Sequence, residues 1–391
     1  MKPLRIAVIG AGIGGLAAAS LLKRAGHDVR VYEQASRFTR VGAGIQMAPN
    51  AVKVLRRLGV EDRLRKTAFQ SERALSREWD TGRVTGDLAL GREVEQTFGA
   101  PYLFLHRADL HAMLESVVPP GVIRLSAKVT AIAQDRRGVT LVLADGSRDQ
   151  AHALIGADGV HSFVREQLLG PEQPRFTGRV AYRATFPAAR LGNAGITPVR
   201  TKWWGPDRHM VIYYVTAARD EIYFVTSVPE SAEWMTPESW SAKGDLAQLK
   251  AAYAGFHAEV QAVLDACPEV YKWALLDRDP LPRWREGRIA LLGDACHPMT
   301  PYMAQGAASA LEDAAMLARC LEQSTGDIEE AFRQYEATRK PRASAIQTSS
   351  STNTWLRGET DPSWVYGYDA WTAPLGKASG LPPAPAGKRK A

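Results

Sequence analysis

Three short motifs built from glycine and aspartate carry the chemistry most readily read from this chain. The first is Gly10-x-Gly12-x-x-Gly15, with Gly14 inside it. Glycines at that spacing allow a tight turn and let the backbone approach a pyrophosphate, whose charge is favoured at the helix N-terminus that follows. Glu33, 18 residues beyond Gly15, ends the next β-like run, where its carboxylate could accept hydrogen bonds from an adenosine ribose. An acid there, instead of a basic residue, argues against a 2′-phosphate. A glycine turn can also serve close packing alone. The preceding strand, the following helix and the acid together favour dinucleotide binding, with FAD and NAD both still open.

The second motif is Gly156-Ala157-Asp158-Gly159-Val160-His161-Ser162-x-x-Arg165, and the third is Gly293-Asp294-Ala295-Cys296-His297-Pro298-Met299. Each follows an apolar run. An aspartate at such a strand end can accept hydrogen bonds from sugar hydroxyls. The helix opening near Gln305-Gly306-Ala307 can aim backbone N–H groups at an anion. His297 invites a catalytic role, but a histidine that fixes the loop before Pro298 is the plainer reading. His209 and Tyr213 fall on one β-like run, and residues two apart share a face. They therefore point together, either into a pocket or as a surface His and a packed Tyr.

These residues need a frame. Arg5–Ile9 reads as a short strand, Leu16–Leu22 as a helix and Asp28–Tyr32 as a second strand, a unit of βαβ size. Val139–Leu143, the Ala144-Asp145-Gly146 turn and Ala153–Ile155 continue with strands. From Val180 to Thr226, alternating aromatic and β-branched residues predict an antiparallel sheet. Arg288–Leu292 returns to a buried strand, and Ala307–Cys320 and Ile328–Arg339 predict long helices. The expected architecture is α/β: a Rossmann-like doubly wound dinucleotide-binding domain with an inserted antiparallel-sheet substrate domain. Its expected parts are 1–175 (first part of the dinucleotide domain), 176–275 (sheet-rich substrate domain), 276–373 (second part and C-terminal helices) and 374–391 (a basic, disordered tail). Ligand pockets favour such domain junctions. The aromatic segment Trp355–Trp371 reads as packing within the chain, with a cover over the pocket or a partner surface as the alternatives.

The 391 residues are 45% hydrophobic and 23% charged, proportions of a globular protein long enough for a large core and a deep cleft. Of the net charge of +7, four units (Lys377, Lys388, Arg389, Lys390) sit in the tail, leaving +3 for the remainder. That is too little to argue for nucleic acid, though it suits an anionic small substrate. Three cysteines without C-x-x-C spacing argue against a disulfide framework and a structural metal, and predict a reducing, cytoplasmic setting. The uncharged run Ile6–Leu22 superficially resembles an export signal, but its four glycines break an apolar helix. No membrane span is expected elsewhere, and oligomeric state is not readable.

The glycine fingerprint with Glu33, the Asp158-Gly159 motif and the Gly293-Asp294 motif, in that order along the chain, resemble class A flavoprotein monooxygenases of the salicylate and p-hydroxybenzoate hydroxylase type. Within that family the likeness is greatest to members acting on hydroxypyridine carboxylates. It rests on Phe38–Ile45, Lys202-Trp203-Trp204 with Asp207–Met210, Pro301-x-Met303-Ala304-Gln305-Gly306, and Asp361–Asp369. The resemblance implies FAD as cofactor. It further implies that Arg107 contacts the flavin, Val129 lies against its adenine end, Asp294 holds the ribityl chain and the Gly306-Ala307 backbone meets the flavin ring. His209 and Tyr213 match pocket residues of the relatives. The relatives' pattern has His where this chain has Gln46, Cys where it has Arg200 and His where it has Tyr302. Arg200 could supply a bidentate carboxylate contact or be a solvated surface arginine, and Tyr302 could supply one hydrogen bond but no base near neutral pH.

Hydroxylating an aromatic ring with O2 requires a cofactor, and the resemblance implies NADH as the reductant of FAD. An electron-rich ring is needed, so a base that ionises a ring hydroxyl should matter, with His209 the candidate and Tyr213 its partner in orienting that hydroxyl. If the attacked carbon bears a carboxylate, rearomatisation expels CO2. The expected substrate is a hydroxypyridine carboxylate such as 6-hydroxynicotinate or 5-hydroxypicolinate, with salicylate-type hydroxybenzoates second. A flavin reductase or oxidase would differ by transferring no oxygen, and a flavin-bound sensor by showing no substrate-stimulated NADH oxidation.

Overall fold

The computed structural model describes residues 3–39, 43–231, 242–324, 327–358 and 360–376. Arg40, Val41 and Gly42 of the Phe38–Ile45 stretch lie outside the described residues, as do 377–391 of the expected tail. The first residues of that tail are packed: Leu375 rests on the core and the Gly376 N–H donates to Thr338 Oγ1 at 2.7 Å.

A parallel sheet forms the first layer. Its strand order is Arg285–Glu286, Ile289–Leu291, Ala153–Gly156, Arg5–Ile9, Asp28–Tyr32 and Ile123–Arg124, with only the 285–286 edge antiparallel. Its central strands are continuous apolar runs because both faces are covered. Helix Ile13–Arg24 is buried from Ile13 to Leu22. Its alanines and glycines leave room for helix Gly306–Gln323, which packs along it. The predicted hairpin forms as Val139–Leu143 against Arg148–Ala151, with Gly146 at φ 80° in its turn.

The second layer is a seven-stranded sheet ordered Tyr271–Asp277, Arg175–Pro187, Glu221–Pro229, His209–Tyr214, Arg200–Trp204, Arg73–Glu78 and Val84–Ala89. It therefore reaches beyond the 176–275 segment and takes two strands from the first 100 residues. Arg73–Glu78 joins by parallel pairing with Arg200–Trp204, a long-range contact that no local pattern announces.

The last long helix exceeds its predicted end at Arg339. It runs from Ile328 to Ser351 through Pro341. Proline removes one helix hydrogen bond and normally interrupts the turn, but tertiary contacts override it here. Arg339 and Arg342 on this helix meet Glu312 and Asp313 on the neighbouring helix at 2.7–2.9 Å, all fully buried. Beyond the proline, Gln347 Nε2 donates to the carbonyls of Arg278 and Pro298, and Ser350 Oγ to that of Thr300. Among the described residues no helix is long and apolar enough to cross a membrane.

Candidate active site

All three motifs converge on one cleft of about 330 Å³ between the two layers. Its lining includes Gly12, Gly14, Arg107, Ala157, Gly159, Gly293, Asp294, Gly306 and Ala307 from the first layer, with Arg183, Tyr213, Tyr223 and Trp273 from the second. Gly10 is at φ 98°, and a Cβ there would lie 2.4 Å from the Ala157 carbonyl oxygen; one at Gly15 would collide with the Gly10 carbonyl. Those glycines pack the turn against the Asp158 loop. At Gly12, by contrast, a Cβ would meet nothing within 4 Å, so this residue borders open cleft. Helices 13–24 and 306–323 both begin without a side-chain cap or an acid in the first turn. Their N–H groups are left for an anion.

Other predicted cofactor residues hold the frame. Glu33 accepts from the Ala11 N–H at 2.9 Å and the Ala35 N–H at 2.8 Å, fixing the glycine turn with two carboxylate lone pairs still available. Asp158 turns its carboxylate inward, accepting from Ser162 Oγ and the Val164 N–H, while its neighbours Ala157 and Gly159 face the cleft. Arg165 joins the second and third motifs by donating to the carbonyls of Val160 and Ala295. Val129 is buried in the core and does not line the cleft; it begins a strand two residues after the Ala127 N–H meets the Glu33 carbonyl. Asp294 and Arg107 face the open cleft, where the Asp294 charge opposes the burial that lowers the Arg107 pKa. His297 is sealed in the core with Nε2 2.5 Å from Asp313 Oδ2, which matches the loop-fixing reading.

A second, narrower pocket of about 40 Å³ adjoins the cleft. Gln46, Val225, Pro301 and Ala304 belong to both linings. Gln46, Arg200, His209 and Tyr302, predicted from separate stretches, all line it. Tyr213 lies on the same strand face as His209 but opens into the cleft, with its hydroxyl in hydrogen-bonding reach of Gln46. Gln46 Oε1 also accepts from the Tyr102 hydroxyl at 2.8 Å, and the Tyr302 hydroxyl is 2.9 Å from Ser227 Oγ. Trp355 and Leu356 close one side, so the aromatic segment both covers the pocket and packs within the chain.

Lys202, named above only within a stretch of family likeness, was given no role by motif reading. It lines this pocket two positions from Arg200, on the same strand face, and that period-two spacing was the available signal. Lys202 is 1% exposed, Arg200 5% and His209 4%. Burial, then Arg200 and Arg357, holds the Lys202 pKa well below its ordinary value. Burial also lowers that of Arg200, and Arg200 Nε and Nη1 have no hydrogen-bond partner among the described residues. His209 is pushed well below 6.5 by burial first and then by Lys202, Arg179 and Arg200, so it is neutral at physiological pH. No acidic residue is among those lining this pocket. A chamber with buried cations and no internal counter-charge is built to receive an anion.

The comparisons agree with the cleft. A family model described as an FAD binding domain matches residues 4–350. The chain is 50% identical to a 6-hydroxynicotinate 3-monooxygenase of Bordetella bronchiseptica, over 96% of this chain and 97% of that protein. This chain belongs to the FAD-dependent flavoprotein aromatic monooxygenases. A 6-hydroxynicotinate 3-monooxygenase of Pseudomonas fluorescens is 48% identical over 95% of this chain and 96% of its own length. A solved salicylate hydroxylase substrate complex superposes with a TM-score of 0.81 at 28% identity, covering 94% of this chain and 96% of the other. The FAD fits the residues present: Gly12 leaves space at an uncapped helix start, and Asp294, Gly306 and Ala307 line the same cleft.

Proposed function

We propose that the protein performs an NADH-consuming, decarboxylative hydroxylation of a hydroxypyridine carboxylate, with 6-hydroxynicotinate or 5-hydroxypicolinate as the leading candidates. The two relatives near 50% identity, both named 6-hydroxynicotinate 3-monooxygenase, support the ring class. The observation that carries the reading is the pair Arg200 and Lys202, buried side by side with no carboxylate in the lining. A substrate carboxylate supplies the missing charge, and the unpartnered Nε and Nη1 of Arg200 leave N–H donors for it.

Bound FAD supplies the redox chemistry, accepting hydride equivalents from NADH and delivering one oxygen atom of O2 to the ring while the other leaves as water. Gly12, Glu33, Asp294, Gly306 and Ala307 hold the cofactor, with Arg107 beside it. The protein's own part is electrostatic. Arg200 and Lys202 anchor the carboxylate and favour the ionised form of a ring hydroxyl, which makes the ring electron-rich. His209, Tyr213, Gln46 and Tyr302 orient that hydroxyl. Tyr213 stays protonated, because burial raises it well above 10, and so serves as a donor. Aromatic walls from Trp355 and Tyr302 exclude water. Three free, buried cysteines and the need for NADH favour a cytoplasmic setting.

The test is a screen of pyridine and benzene carboxylates for substrate-dependent NADH oxidation, with labelled O2 and released CO2 followed together. A hydroxypyridine carboxylate should give labelled product and CO2. Preference for a hydroxybenzoate would move the substrate class, and NADH oxidation without labelled product would make the protein a reductase or oxidase.

A further inference from the structure

His209 is hydrogen-bonded by a residue outside the pocket lining. Asn353 lies just after helix Ile328–Ser351, in the left-handed region at φ 52°, which asparagine tolerates. Its side chain sits between two pocket residues. Lys202 Nζ donates to Asn353 Oδ1 at 3.4 Å, and Asn353 Nδ2 faces His209 Nδ1 at 3.4 Å.

The donor inventory then fixes the imidazole. Lys202 Nζ carries N–H donors in either charge state, and the amide turns its oxygen to that nitrogen and its NH2 to His209. An NH2 group facing a ring nitrogen requires a lone pair on that nitrogen. Neutral imidazole carries a single N–H, which must therefore reside on Nε2. The charged groups around the ring are Lys202, Arg179 and Arg200, all cations, and they disfavour the doubly protonated form. Among the described residues no other group bonds to the ring. Trp204 and Tyr302 flank it with centroids at 5.3 and 5.5 Å, and the Tyr253 hydroxyl fixes the His209 carbonyl at 2.7 Å. With Nδ1 engaged, Nε2 is the nitrogen available to the pocket.

We propose that Asn353, oriented by Lys202, is a positioning residue that holds His209 as the Nε2–H tautomer, so that His209 meets the ring oxygen of an anionic substrate as a hydrogen-bond donor. This replaces the proton-accepting role that a histidine at this place suggests. It rests on reading the pocket as the substrate site, but the tautomer itself is a property of the substrate-free, FAD-loaded enzyme and is measured there.

The experiment is long-range 1H–15N correlation on holoenzyme labelled with 15N-histidine, with the His209 signals assigned by their loss in His209→Gln. At neutral pH the expected pattern is a bare Nδ1 and a protonated Nε2. Asn353→Asp presents a carboxylate, which needs an N–H in front of it, and should place a proton on Nδ1. It should also lower kcat/KM by about 100-fold, the usual effect of losing one donor to an oxyanion. In Lys202→Met the amide is free to turn, and Nδ1–H signal should appear. Retained flavin absorbance shows that each variant is folded. A wild-type ring protonated on Nδ1, or variants that keep the wild-type pattern, would overturn the proposal. The expected tautomer shift with unchanged turnover would instead leave the assignment standing and remove the pocket from catalysis.

Discussion

The Lys202 ammonium lies 3.7 Å from the centre of the Trp204 ring, and no carboxylate lines the pocket that Lys202 shares with Arg200 and His209. An aromatic face stabilises a cation by about 0.5–2 kcal/mol, less than the desolvation of a buried ammonium costs. The folded pKa of Lys202 is therefore lowered, and its charged form opposes folding at neutral pH. Without ligand, Lys202→Met should unfold at a higher temperature, by the equivalent of on the order of 1 kcal/mol or more. An aromatic carboxylate should then stabilise the wild type more than the variant. Differential scanning calorimetry with and without such a ligand measures both effects.

Arg200 should govern substrate capture. Truncating one partner of a buried charge pair typically costs about 2–5 kcal/mol. Arg200→Met should therefore reduce kcat/KM by about 30-fold or more at unaltered FAD content, chiefly through KM. Steady-state NADH oxidation with the best carboxylate from the screen reads the change, and an unchanged KM would place the carboxylate elsewhere.

Acid should weaken the fold through His209. Its folded pKa is depressed, so the stability it contributes is complete above about 6.5 and is lost as pH falls, when the unfolded chain takes up a proton that the folded chain rejects. His209→Gln removes that proton uptake. Urea unfolding at a series of pH values should show wild-type stability falling more steeply below 6.5 than that of the variant.

Gly10 and Gly12 should separate folding from cofactor binding. Gly10→Ala places a Cβ against the Ala157 carbonyl at a positive φ, and should cost about 1–3 kcal/mol of stability. Gly12→Ala meets no protein atom within 4 Å. It should leave the apoprotein melt unchanged and weaken FAD retention on desalting, seen as lost yellow absorbance.

The charge cluster beneath the cleft should be intolerant of single changes. Asp313 is shared by His297 and Arg339, and burial opposed by those two partners leaves its pKa near 2. Asp313→Asn leaves Arg339 undercompensated and should cost about 3–5 kcal/mol in urea unfolding.

The dinucleotide side of the molecule was legible because its chemistry is local. The glycine turn, Glu33 and both aspartate motifs each follow a strand, and the turn geometry is written in adjacent residues. What each carboxylate does was less legible: Asp158 and Glu33 spend hydrogen bonds on backbone groups brought near only by folding. His209, Arg200, Gln46 and Tyr302 were found through likeness to relatives, and the fold brings them to one chamber. Asn353 escaped notice because it stands alone in sequence, 144 residues from the ring it touches. The strand Arg73–Glu78 escaped because its parallel partner lies more than 100 residues away.

The helix Ile328–Ser351 touches the strand end of the third motif through Tyr335, clamps the loop before Tyr302 through Gln347 and Ser350, and delivers Asn353 to His209. A helix advances 1.5 Å and turns 100° per residue, so it acts as a gauge block between flavin end and ring end. Adding or deleting one residue before Asn353 would swing that amide off its target. New ring preferences in this lineage should therefore arise by exchanging side chains along Arg200–Trp204, while the length of this rod stays frozen.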